Sequence, residues 1–184
     1  CGSLGVKARG LGFVNTLIND YQLRDQFDDA LIYVPPAVVL GTEVFDDFIE
    51  MNNLREFALN CDDDEEITER FLEASKFPEE ILGELAAFLD IIKTPLAVRS
   101  SSLLEDSQYH PFAGVYQTYM IPNNNANPLI KLNDLLSTIK RVYASTFYQN
   151  AKNYIKITSY RSEEEKMAVI IQKVIGKTLM RKLF

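Results

Sequence analysis

Cysteine and histidine are scarce in this chain. Its 184 residues hold two cysteines, Cys1 and Cys61, and one histidine, His110. Two cysteines cannot build the multi-bridge framework of a small secreted domain, so free thiols in a reducing compartment are expected. Two Cys and one His also make a poor ligand set for a structural zinc. Long apolar runs are lacking, and none approaches the ~20 residues of a membrane span. The first residues show no basic stretch followed by an apolar core, so no secretory signal is read there. Positive charge is short too. The formal net charge is −7, which argues against a general nucleic-acid surface. A single pocket can still be locally positive inside an acidic protein. These absences predict a cytoplasmic chain without nucleic-acid or membrane partners.

What is present is an ordinary globular composition, 47% hydrophobic and 24% charged, in a length that suits one domain or two small subdomains. The informative stretch is 95–122. Leu96 to Val98 is a short apolar run of the kind that forms a buried strand. It breaks into Arg99 and three serines, Ser100, Ser101 and Ser102. Open α/β sheets keep their ligand sites at strand ends. A guanidinium there offers a fixed fork of donors that matches phosphate oxygens. Phe112-Ala113-Gly114 then opens a second extended run through Ile121. On spacing alone, a β-loop-β unit with Arg99 in a surface ion pair fits as well.

The full string carries more. Val98-Arg99-Ser100-Ser101, then Glu105-Asp106, then Phe112-Ala113-Gly114 resembles the nucleotide-binding domain of phosphoenolpyruvate synthase and pyruvate phosphate dikinase. Related water dikinases and antibiotic phosphotransferases share that domain. Near the start, glycines 2, 5 and 10 surround Lys7 ahead of a helical pattern at Val14, Leu17, Ile18 and Tyr21. A lysine there opposes the helix dipole, and it reads either as solvated or as facing a bound phosphate. The family opens with Gly-Gly-Lys and a leucine at the spacing of Leu11; here Val6 stands for the second glycine.

The resemblance covers nearly the whole chain. It implies an α/β (α+β) fold, a truncated ATP-grasp nucleotide-binding domain with a mixed sheet, flanking helices and a helical insertion. Residues 1–184 would form one truncated domain, with 1–94 an N-terminal α/β part and 95–184 the β-loop-β unit, a long helix and a strand. It implies ATP as substrate, with Lys7 and Arg99 as catalytic cations on its phosphates. Ser100, Ser101, Gly114 and Thr118 would also bind ATP, as would Glu105 and Asp106, which would orient Arg99 or its loop. Backbone groups at Gln172, Lys173, Val174 and Ile175 would read the adenine edge. Mg2+ would come with ATP, its ligands lying beyond Phe184.

The similar full-length enzymes convert pyruvate, ATP and water to phosphoenolpyruvate, AMP and phosphate. Their partners are a swivelling phosphohistidine domain and a pyruvate-binding barrel, neither of which fits in this chain. His110 lies inside the nucleotide motif and is not the phosphorylated histidine. The fragment alone is therefore expected to be inactive. Two rivals remain: a non-catalytic binding or interaction module, which Val6 and Leu103 (where the family often has threonine) favour, and a dikinase acting on a glucan or drug hydroxyl.

Elsewhere the reading is structural. After the apolar run at 30–34 and Pro35-Pro36, a second run from Ala37 to Leu40 precedes a helix capped by Thr42, with Val44, Phe45, Phe48 and Ile49 inward. A short helix is expected within 52–61. The acidic run at 62–66 reads as a helix start, or as a cation site. A helix over 79–92 should bury Ile81, Leu82, Leu85, Phe88 and Leu89. One long helix is expected over 129–155, with Lys140, Arg141, Lys152 and Lys156 as a solvated basic face. A strand is expected over 167–176, where Gln172 reads equally as a strand-edge residue.

Overall fold

The computed structural model describes residues 3–27, 29–102, 116–156 and 165–176. Four strands, β1 (Ala37–Leu40), β2 (Leu96–Ser102), β3 (Thr118–Ile121) and β4 (Met167–Lys173), form one sheet in the order β1-β4-β2-β3. The α/β (α+β) architecture is the expected one, consistent with part of an ATP-grasp-like domain. The sheet is a correction in one respect. All three pairings are antiparallel, not mixed, because β2 folds back on β3 and β4 enters between β1 and β2 running against both. That insertion also makes β4 an interior strand, so Gln172 is not at an edge.

Residues paired across a ladder share a face. One face carries Leu40, Leu96, Val98, Val169 and Ile171, all within the apolar core. The other carries Val39, Ala97, Arg99, Ser101, Thr118, Met120, Ile170 and Gln172. Six helices share the core on the first face: α2 (Thr42–Met51) and α6 (Pro128–Ser145), which lie against the strands, together with α3 (Arg55–Asn60), α4 (Asp64–Glu73), α5 (Glu79–Ile91) and α7 (Gln149–Lys156). Leu135, Ile139 and Val142 of α6 are fully buried there, as their spacing predicts. Phe48 of α2 centres an aromatic cluster with Phe71, Phe77 and Tyr143, at ring distances of 6.0, 5.5 and 5.6 Å.

One helix, α1 (Gly5–Asp20), lies against β2 from the second face. Its buried residues are Gly5, Ala8 and Ile18. Val14 and Tyr21, expected on its packed face, are 46% and 65% exposed. Burial is confined to Gly5, Ala8 and Ile18, so the pattern identified the helix but not its seat.

Local chemistry explains the other departures. The cap of α2 is Gly41; Thr42 is inside the helix, and its hydroxyl accepts the Ser3 N–H at 3.0 Å. The acidic run supplies helix starts. Asp63 accepts from the Glu65 and Glu66 amides, and Asp64 accepts from the Gln149 amide that begins α7. The single helix expected over 129–155 is broken between α6 and α7. There the Ser145 hydroxyl donates back to the Val142 carbonyl, and the next amides tighten onto carbonyls three residues earlier.

The basic face is corrected as well. Lys140 donates to the Leu72 and Ala74 carbonyls at 3.3 and 2.7 Å, Lys152 to the Cys61 carbonyl, and Lys131 to the Leu89 carbonyl at 3.4 Å. Each ammonium sits at the C-terminal end of a different helix, where orphan carbonyls and the dipole favour a cation. Burial pushes the Lys140 and Lys152 ammonium pKa values down. Arg141 remains exposed.

Candidate functional site

Strand β2 buries six of its seven residues, and the exception is Arg99. Alternation gives Arg99 to the face opposite the helical layer, where α1 covers Ser101 but leaves Arg99 exposed. Its ladder partners are Thr118 on β3 and Ile170 on β4. At this point a cavity of about 470 Å³ opens, lined by Pro35, Ala97, Arg99, Thr118, Met120, Gln172, Lys173, Val174 and Ile175. Its volume lies in the range of small-molecule sites. A guanidinium, a hydroxyl and a carboxamide rise from a floor and wall of apolar side chains. Such an arrangement can hold a flat apolar group at one end and an anion at the other.

A larger cavity, about 870 Å³, lies between α3 and α4 and includes Glu56, Asp62, Asp63 and Glu66. Four carboxylates there would repel phosphate, so size does not make it the nucleotide site.

Lys7 approaches the same strand from α1. Its Nζ donates to the Ser100 carbonyl at 3.5 Å, one residue along from Arg99. The approach depends on Gly5, whose φ is 69° and where a Cβ would lie 2.0 Å from the Ser101 carbonyl oxygen. Only glycine fits that backbone and that gap. Lys7 is not among the residues lining the Arg99 cavity.

The predicted residues therefore divide. Arg99, Thr118, Gln172, Lys173, Val174 and Ile175 share one cavity. Ser100 points to the opposite face and is buried. Ser101 is buried with its hydroxyl engaged: it donates to the Leu4 carbonyl at 2.9 Å and accepts from the Ala8 amide at 3.2 Å. Neither serine hydroxyl lines the cavity. The Lys173 and Val174 amides donate to the Pro36 and Pro95 carbonyls, both at 2.9 Å, so these two N–H groups serve the fold and not a ligand. Glu105, Asp106, His110 and Gly114 lie outside the described residues.

The apolar lining escaped the sequence reading. Ala97 and Met120 face one another across the β2–β3 ladder on the side of Arg99. Strand alternation about Arg99 and Thr118 was the signal that could have found them.

Residues 2–180 match the family described as pyruvate phosphate dikinase, AMP/ATP-binding domain. The chain belongs to that family. It is also similar to the uncharacterized phosphotransferase YvkC of Bacillus subtilis (strain 168), at 26% identity over 154 residues. That match covers 82% of this chain but 17% of the relative's length. Both the Arg99 string and the lysine turn lie within the residues matched to that family. Among the described residues, no group of three or more His, Cys, Asp or Glu is arranged to hold a metal ion. No helix among them is long and apolar enough to cross a membrane.

Proposed function

We propose that this chain is the ATP-binding part of a cytoplasmic phosphotransferase of the pyruvate, water dikinase kind, in which ATP phosphorylates a histidine on a separate swivelling domain that serves a pyruvate-binding barrel. One observation carries the reading: Arg99, Thr118 and Gln172 share a single sheet face and a single cavity in a chain of an AMP/ATP-binding family. Phosphoryl transfer is mostly positioning plus charge stabilisation. Arg99, fixed on a strand, supplies a rigid fork for phosphate oxygens; Lys7, on its glycine turn, supplies a point charge. Ala97, Met120 and Ile175 give a purine apolar surface, and carbonyls of the 172–175 segment take its edge. Glu105 and Asp106 orient the arginine or its loop. Mg2+ would accompany ATP, with ligands supplied elsewhere in the full-length protein.

The test is ATP-dependent phosphorylation of the partner histidine in the full-length protein. Arg99→Ala should lose ~2 kcal/mol or more of transition-state stabilisation. Arg99→Lys should not restore it, because an ammonium lacks the fork, and Lys7→Ala should also slow transfer. Phosphorylation by Arg99→Ala at the wild-type rate would make the arginine structural and the reading wrong. Val6, in place of the motif's second glycine, favours a non-catalytic binding module. That reading predicts no histidine phosphorylation in the wild type either.

A further inference from the structure

The turn that carries Lys7 is tied down at both ends by side chains from elsewhere in the chain. Upstream, Ser3 and Thr42 exchange two bonds: the Ser3 amide donates to the Thr42 hydroxyl at 3.0 Å, and the Thr42 amide donates to the Ser3 carbonyl at 2.9 Å. Downstream, the Ser101 hydroxyl bridges the Leu4 carbonyl and the Ala8 amide. Those two groups, four residues apart, are the acceptor and donor of a helix's first turn. Ser101 thus binds both ends of that turn to β2, while Gly5 closes the gap beneath it. Lys7 lies within the bridged turn.

We infer that Ser101 is a positioning residue: its hydroxyl locks the first turn of α1 onto β2 and so sets where the Lys7 ammonium stands relative to Arg99. The inference rests on the proposed phosphate roles of Lys7 and Arg99, and it reassigns Ser101 from ligand contact to support. The reasons are geometric. The hydroxyl is buried, its proton is committed to Leu4, and it accepts from Ala8. A lysine has four rotatable stem bonds, so its charge is placed only as well as its backbone is held. The helix keeps its own hydrogen bonds without Ser101, but its tether to the arginine strand is lost.

The experiment compares wild type, Ser101→Ala, Lys7→Ala and the double variant in the full chain. Nuclear Overhauser contacts between the Lys7 side chain and Ser100 report position without any ligand, circular dichroism reports helix content, and calorimetry reports ATP affinity. Ser101→Ala should keep its helix content, lose the Lys7–Ser100 contacts and bind ATP about tenfold more weakly, as a misplaced positioning group would. The double variant should be no weaker than Lys7→Ala, since both changes remove one interaction. Wild-type Lys7–Ser100 contacts in Ser101→Ala would overturn the inference, as would losses that multiply in the double variant. Loss of those contacts with no ATP binding by wild type would leave the tether standing and sink the phosphate reading instead. Should Ser101→Ala fail to fold, Ser101→Cys carries the same test, since it fills the space with a weak donor.

Discussion

The two faces of the sheet use cations in opposite ways. On the helical face, Lys131, Lys140 and Lys152 are folded back onto main-chain carbonyls at the ends of α5, α4 and α3. On the other face, Arg99 stands exposed over a cavity with Thr118 and Gln172. Both sets read alike in the sequence, as basic residues beside apolar runs. What separates them is the neighbour each backbone delivers. A lysine next to a helix C-terminus finds orphan acceptors and becomes structural. An arginine at a strand position facing away from the core finds a cavity. The contrast also holds for aromatics, since Phe45, Phe48, Phe71 and Tyr143 all lie on the helical face.

The comparison breaks most visibly if the core side is disturbed. Ile139→Ala, at a fully buried position of α6, should cost ~2–5 kcal/mol in denaturant unfolding. A loss within ~0.5 kcal/mol, typical of surface sites, would mean that α6 does not seal this face.

Tyr143 sharpens the contrast through pH. Its ring is fully buried, its hydroxyl has no hydrogen-bond partner among the described residues, and burial pushes its pKa well up. The unfolded chain then loses this proton near pH ~10 while the folded chain keeps it, so stability falls as pH rises past that value. Tyr143→Phe should be more stable than wild type by about 1 kcal/mol at neutral pH, since it removes an unpaired buried hydroxyl. Its advantage should widen by ~1.4 kcal/mol per unit above pH ~10. Burial lowers the Lys140 pKa, which acts in the opposite direction, but this cancels in the difference between variant and wild type. Parallel stability curves for the two proteins from pH 9 to 11 would contradict the burial of that hydroxyl.

Smaller effects separate the two kinds of cation. Lys140→Met keeps the stem but removes the donor to Leu72 and Ala74, and should cost ~1 kcal/mol in thermal unfolding. Arg99→Ala should change stability by no more than ~0.5 kcal/mol while affecting phosphoryl transfer. An arginine variant less stable than the lysine variant would reverse the assignment of structural and functional cations.

Much of the fold was legible in the sequence. Residue periodicity located β1, β2, β4 and the core-layer helices α2 and α5 to within a few residues, because apolar spacing follows from which face must be buried. The division of 129–155 into two helices was not legible. It depends on Asp64, distant in sequence, capturing the Gln149 amide. At the candidate site, the motif and the strand pattern pointed to Arg99, Thr118 and Gln172, which the structure brings to one cavity. Ser100 and Ser101 do not line that cavity, and the sequence could not show this, because a serine's role depends on which groups its hydroxyl meets.

The sequence by itself determined the family, the strand that presents an arginine and the glycine turn that presents a lysine. Motif spacing and backbone preference are local properties, and they survive without knowledge of what packs where. Tertiary structure alone decided that β4 enters between β1 and β2, that Gly5 lies against the Ser101 carbonyl, and which cations are consumed by the fold. Those outcomes depend on contacts between residues dozens of positions apart, such as Ser101 with Leu4 and Ala8. Register and close packing select such contacts, and residue type does not.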